Sequence, residues 1–393
     1  SLADVSAYTG VDAHEAAQAV VEGVRLATYR FLALKAETSG APAIDMLSLM
    51  VPATATAAAT AGVERGRVVA DAVRLARDLA NTPPVHLTAT RMAEVALQVG
   101  TAAGLDVEVW DEHDLAEQRC NGLLNVNRGS VEPPRLVTLR YRPRHARGHV
   151  VLVGKGVMYD SGGISLKPSD PMHAMMKMDM SGAAAVLAAV TTLKALGCRS
   201  AVTGYLVCTD NMPSGSAYKL GDVITYRNGR TAEIHNTDAE GRLILADALI
   251  LAEESKPDAI IDIATLTGAC MAALGPKMAG VLGNDQGLVD RVLGASQRTD
   301  ELVWQLPLHR PYRKMLDSQV ADLRNIGGPY AGAITAALFL AEFVGDVPWA
   351  HLDIAGPMSS DSDDGWLTKG ATAFGTRLLI DVVTHFEARR SAR

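Results

Sequence analysis

The chain has 393 residues, 48% of them hydrophobic, enough to bury a large core, and its longest apolar run, Ala331 to Ala341, is too short to cross a membrane. With 37 basic and 44 acidic residues the net charge is −7 and there is no basic tail, so neither nucleic acid nor a membrane is an expected partner. Four cysteines, Cys120, Cys198, Cys208 and Cys270, lack C-x-x-C spacing and predict free thiols rather than disulfides or a zinc site.

Ser1 to Gly10 shows no basic or apolar signal region, and a cytoplasmic protein is expected. Ala13 to Leu34 carries apolar residues at helical spacing, Ala36 to Ala43 reads as a loop, and Ile44 to Val51 as a strand. A long helix follows from Ala53 through Leu79 and ends at Asn81-Thr82-Pro83-Pro84. Beyond it helices (90–103, 111–118, 182–196, 240–254, 332–343 and 372–387) alternate with strands (105–110, 136–141, 149–154, 201–208, 223–226, 232–235, 259–264, 278–282 and 349–353). Such alternation predicts an α/β fold with a mainly parallel or mixed central sheet flanked by helices.

The chemistry concentrates in Asn236-Thr237-Asp238-Ala239-Glu240-Gly241-Arg242-Leu243. If this stretch is extended, Asp238, Glu240 and Arg242 face one spot, and two acids that close need a proton, a base or a metal ion between them. An exposed turn with a local Glu/Arg pair is the other reading of the stretch taken alone. Upstream, Lys155, Asp160, Lys167 and Asp179 lie among glycines and small residues that let the backbone approach a ligand, as a two-cation site with oxygen ligands requires. Lys155 and Asp160 follow one predicted strand, Asp238 and Glu240 another, and Thr265-Leu266-Thr267-Gly268 a third, so all three loops are expected at the carboxyl ends of strands, where open α/β sheets bind ligands.

Taken together and in order, GKG at 154–156, YDSGG at 159–163, KMDMSGAA at 177–184, NTDAEGRL at 236–243, ATLTGA at 264–269 and WAHLDIAGP at 349–357 resemble the leucyl aminopeptidase (cytosol aminopeptidase, M17) family. The resemblance runs from about Arg77 to the C-terminus. It implies a metal-dependent aminopeptidase that removes Leu and other apolar residues from peptides with a free N-terminus. Lys155, Asp160, Asp179 and Glu240 would hold one divalent cation and Asp160, Asp238 and Glu240 the other, as Mn2+ or Zn2+, with Mg2+ and Co2+ as alternatives. Lys155 would bind as a neutral amine. Lys167 and Arg242 are the implied catalytic residues, the first stabilising the oxyanion and the second holding a bicarbonate that shuttles protons. The implied substrate pocket comprises Met176, Thr265, Leu266, Gly268, Ala355 and Met358.

By the same resemblance, residues 1–55 are a remnant of an N-terminal α/β domain, 56–75 a connector helix and 76–393 the catalytic domain, and the family assembles as a hexamer. The segment before the connector is shorter than the family's N-terminal domain, as in a truncated or naturally shortened chain. Met158 stands where the family has Thr, beside intact acids. There is no G-x-x-x-x-G-K-[ST], G-x-S-x-G or H-E-x-x-H, which leaves Lys155, Ser161 and the histidines without those roles. A catalytically silent scaffold is the alternative function, and it would be free to lose ligands that this chain keeps.

Overall fold

Runs of Val, Ile and Leu that bury both faces of a sheet alternate here with helices rich in Ala, and the computed structural model, which describes residues 2, 10–36 and 44–388, arranges them around one large sheet. In chain order the strands of the two larger sheets are β1 (Asp106–Trp110), β2 (Arg135–Tyr141), β3 (His149–Asp160), β4 (Ala201–Asn211), β5 (Val223–Thr225), β6 (Thr231–Glu233), β7 (Ala259–Ala264), β8 (Ala279–Gly283), β9 (Val303–Gln305), β10 (Leu323–Arg324) and β11 (Trp349–Asp353). The main sheet has the order β1-β2-β4-β3-β7-β11-β8-β9, and its centre, β4-β3-β7-β11, is parallel. The edge pairs β1/β2, β2/β4 and β8/β11 are antiparallel, so the fold is α/β with a mixed sheet, as the alternation predicts. A separate three-stranded sheet, β10-β6-β5, stands beside it.

Two apolar layers cover the main sheet. On one face the helices 56–81, 89–102, 181–192, 286–299 and 376–384 supply Val69, Met92, Val186, Val292 and Leu379. On the other, helices 121–127, 241–254 and 332–341 supply Leu123, Leu245 and Phe339. The helix Ser181–Thr192 is buried all round except at Thr191, which its alanines permit because they let strands approach closely.

Several expected elements differ. Residues 44–51 form no strand: Met46 and Met50 are exposed, and among the described residues no neighbouring strand offers a ladder. The first helix stops at Ala27, where Thr28 Oγ1 donates to the Val24 and Arg25 carbonyls and Arg30 caps Ala27 O. The last helix is Thr376–Thr384, with Glu301 accepting from Gly375 N and Leu378 N at its start. The helix Gln286–Thr299 was not expected. Gly287 and Gly294 weaken it locally, yet Leu288, Val289 and Val292 recur at helical spacing and are buried. The loop expected at 36–43 falls, after Ala36, outside the described residues.

Arg77 ties the ends of the chain together. Fully buried, it donates to Leu26 O at 3.0 Å, Trp366 O at 3.1 Å and Thr372 O at 3.2 Å, and its guanidinium lies over the Tyr29 ring. Burial pulls its pKa down to about 10, against the attraction of Tyr29 and Glu301. Replacing Arg77 by Met leaves two buried carbonyls and one part-buried carbonyl without this donor, and each charged hydrogen bond contributes about 1.5–3 kcal/mol. The denaturation midpoint of Arg77→Met should therefore fall by an amount equivalent to about 3 kcal/mol or more, and an unchanged midpoint would refute the tether.

Candidate active site

Strand β3 pairs with β7 only from Val150 to Gly154, whereas its pairing with β4 continues to Asp160. Past Gly154 the two central strands part, and the chain leaves β3 toward β4 on one side and β7 toward β11 on the other. A crevice opens at such a switch point. Lys155 and Asp160 therefore lie within β3, not in a loop after it as the sequence suggested. The second contributor also differs from expectation, because the strand before Asp238 belongs to the small sheet.

In the crevice a nest of charges is buried. Lys155 Nζ sits 2.7 Å from Asp179 Oδ2, 2.8 Å from Glu240 Oε1 and donates to Thr265 O at 2.8 Å. Lys167 Nζ bridges Asp160 Oδ2 at 2.8 Å and Asp238 Oδ1 at 2.5 Å. Thr265 Oγ1 donates to Asp179 Oδ1 at 2.6 Å, and Asp160 Oδ1 accepts from Gly162 N at 2.9 Å. Burial alone lowers the pKa of both lysines, but the surrounding carboxylates outweigh it, Asp179 first for Lys155 and Asp160 first for Lys167, and hold both ammonium groups above their ordinary value. Burial and the neighbouring Asp160 charge push Glu240 up, and burial also raises Asp179 and Asp238. Carboxylate oxygens of Asp160, Asp238 and Glu240 lie within 4.8 Å of one another. A hard-donor set whose acids are already bridged by two positive groups fits divalent cations.

The stretch 238–242 is a turn entering a helix, not an extended edge. Asp238 N donates to Asn236 Oδ1 at 2.8 Å, Glu240 has helical φ −77° and ψ −36°, and the helix Gly241–Glu254 begins at the next residue. A turn turns Asp238 and Glu240 inward as well. Arg242, in the first turn of that helix, donates to Asn325 O at 2.9 Å while its buried Nε has no partner. Burial lowers its pKa to about 10, against the attraction of Glu240 and Asp353. Gly241 lies against the Lys155 stem: a Cβ there would come 2.7 Å from Lys155 Cε and 2.9 Å from its Nζ.

All thirteen residues singled out in the sequence line one cavity of about 340 Å³. The charged seven share it with Met176, Thr265, Leu266, Gly268, Ala355 and Met358. Sequence reasoning missed Met172 and Met271 in the same wall, although Met271 lies one helical turn after Gly268. It also missed Asp353, whose Oδ1 accepts from Leu266 N and Ala355 N, each at 3.2 Å, and whose Oδ2 accepts from Thr267 Oγ1 at 2.6 Å. The WAHLDIAGP motif was the available signal. Ser161 donates to Asn211 O at 2.6 Å, and the buried His351 pairs through Nδ1 with Asp262 Oδ1 at 2.6 Å. Neither lines the cavity.

Comparison with known proteins identifies the family. Residues 74–380 match the catalytic domain of the cytosol aminopeptidase family, Peptidase_M17. A probable cytosol aminopeptidase of Roseiflexus castenholzii is 47% identical over 371 residues, 93% of this chain and 76% of the relative. One from Chlorobaculum tepidum is 47% identical over 380 residues, 94% of this chain and 75% of the relative. Among solved structures, the bottromycin maturation enzyme BotP in complex with Mn superposes with a TM-score of 0.89 at 42% identity, covering 95% of this chain and 80% of that one.

Gly to Ala within a helix ordinarily stabilises by about 0.5–1 kcal/mol. At Gly241 the sign should reverse, because the new methyl displaces the Lys155 ammonium from its acids. Gly241→Ala should melt below the parent by the equivalent of about 1–3 kcal/mol. A higher melting temperature would mean that Lys155 moves aside freely.

Proposed function

The chain belongs to the cytosol aminopeptidase family and is a metal-dependent peptidase, and on that premise we propose that it removes the N-terminal residue of peptides, Leu and other apolar residues preferred, with two divalent cations. One observation carries the reading: Lys155, Asp160, Asp179, Asp238 and Glu240 converge in a cavity that they share with four methionines and several small residues. Lys155, Asp160, Asp179 and Glu240 would hold one cation and Asp160, Asp238 and Glu240 the other. Mn2+ is favoured by the Mn-bound relative, with Zn2+, Mg2+ and Co2+ compatible with the donors. When bound, such a pair supplies Lewis acidity and a water acidic enough to attack at neutral pH.

The chain's own groups then divide the work. Lys167, freed from Asp160 and Asp238, would donate to the oxyanion that develops on the scissile carbonyl. Arg242 keeps its proton and cannot be a base. Its unpartnered Nε suits an anion, and bicarbonate is the anion we assign to it as proton carrier. The methionine walls, Met176 and Met358 with Met271, would take a flexible apolar side chain. Retention of all seven charged groups in one cavity counts against a silent scaffold. The same proposal takes residues 1–55 as a remnant of an N-terminal unit, 56–75 as its connector helix and 76–393 as the catalytic domain, and takes the protein as a cytoplasmic homo-oligomer, hexameric as the family resemblance implies.

Anomalous scattering from Mn2+-soaked crystals should show two peaks among these five ligands, and one peak or none would remove the two-cation mechanism. The pocket has its own test. A Cβ at Gly268 meets nothing within 4 Å, so Gly268→Val fills the cavity without straining the fold. Since one methylene in such a pocket is worth about 10–200-fold, kcat/KM should fall at least tenfold for Leu-peptides relative to Ala-peptides. An equal loss for both would remove Gly268 from the pocket.

A further inference from the structure

Strand β4 runs past the edge of the crevice and ends at Asn211, which is fully buried. Its Nδ2 donates to Asp160 Oδ1 at 2.8 Å and to Thr237 O at 2.9 Å. Both partners are acceptors, which fixes the amide orientation, since only an NH2 group can serve two acceptors at once. Its backbone carbonyl accepts from Ser161 N at 3.0 Å and from Ser161 Oγ at 2.6 Å. One residue thus holds the carboxylate at the end of β3 and the peptide immediately before Asp238. Those two segments belong to different sheets, β3 to the main one and the turn before Asp238 to the small one, and nothing in the main-sheet register fixes their separation.

The surroundings are built around this contact. Thr237 Oγ1 donates to Gly162 O at 2.7 Å and accepts from Ser165 N at 2.8 Å, and Thr237 O also accepts from Tyr218 Oη at 2.6 Å. Gly163, at φ +65°, has to be glycine for two reasons: the left-handed backbone, and a Cβ that would lie 2.8 Å from Asn211 Oδ1.

We propose that Asn211 is a positioning residue, which sets the distance between Asp160 and the Asp238–Glu240 pair and thereby the affinity of the site for its divalent cations. The inference rests on the metal reading above. A group that hydrogen-bonds a ligating carboxylate from behind restricts its rotation, and loss of such a partner typically weakens metal binding about 10–100-fold. In Asn211→Ala each acceptor keeps one donor, Gly162 N for Asp160 and Tyr218 Oη for Thr237, so no buried oxygen is orphaned and the variant should fold.

Calorimetric titration of Mn2+ into the metal-free full chain tests this. For Asn211→Ala at least one Mn2+ step should weaken about 10–100-fold, while the melting temperature of the metal-free protein stays close to the parent and KM for the peptide at saturating Mn2+ is unchanged. A residue with a merely structural role would do the reverse, lowering the metal-free melting temperature and leaving the Mn2+ steps intact, and that result would overturn the proposal. If Asn211→Ala does not fold, Asn211→Ser, polar but too short to span Asp160 Oδ1 and Thr237 O together, should weaken at least one Mn2+ step in the same range of about 10–100-fold. Unchanged Mn2+ affinity in that variant is equally fatal. Should the parent take up one ion only, the two-cation reading fails, and the comparison of variant with parent on that one step still decides the role of Asn211.

Discussion

Everything around the crevice depends on one electrostatic constraint: four carboxylates, those of Asp160, Asp179, Asp238 and Glu240, converge on a small, mostly buried volume and need positive charge among them. Lys155 and Lys167 meet that need in complementary fashion, the first between Asp179 and Glu240, the second between Asp160 and Asp238. The arrangement explains why removing either lysine is unlike removing a surface charge, since the acids left behind are buried and repel. It also explains the tight backbone around them. Gly241 gives the Lys155 stem its path, and a side chain there would meet the ammonium itself.

The constraint is met because the sheet opens where it does. β3 stays paired with β4 through Val157 and again at Asp160 but leaves β7 after Gly154, so Lys155 points into a gap rather than into a ladder neighbour's side chain. The second half of the site arrives on a different support. Asn325, buried beside β10, accepts from His235 N at 2.8 Å and donates to Asn236 O at 2.6 Å, and its own carbonyl receives Arg242 at 2.9 Å. The small sheet is thereby a bracket that presents the 236–240 turn to the main one.

Much of this was legible in the sequence, for reasons that differ from residue to residue. The mostly apolar run at 259–264 gives β7 with its observed bounds, since strands buried on both faces are largely apolar, and the strand expected at 349–353 is β11 with the same bounds despite His351 and Asp353. The charged residues were legible because acids and lysines among glycines have few structural uses. Their local geometry was legible in part: the helix expected from 240 is there from Gly241, but the extended arrangement weighed for 238–242 is not, because the Asn236 side chain closes a turn before it. The small sheet was illegible as a unit because its strands have two or three residues, too few to carry a periodic signal, and β10 reaches β6 from 91 positions further along the chain. Asp353 and Asn211 escaped for another reason. Their partners are mostly backbone groups, with two hydroxyls and one carboxylate, and most of them lie far away in sequence, so that only the fold reveals the role.

The register between β7 and β11 shows how polar groups far from the chemistry still fix it. Asp262 faces His351 across the two parallel strands, taking the His351 ring at 2.6 Å through Oδ1 and Trp349 Nε1 at 2.7 Å through Oδ2, with all three residues fully buried. A slip of one residue would carry Asp262 to the opposite face, among Ile261, Ile263 and Leu352, and leave its charge unpaired. The pair therefore specifies one register more sharply than apolar side chains alone could. That register sets Ala264 opposite Asp353. Asp353, so placed, collects the backbone of Leu266, Thr267 and Ala355, which aligns the two loops that wall the pocket and leaves the Thr265 hydroxyl on Asp179.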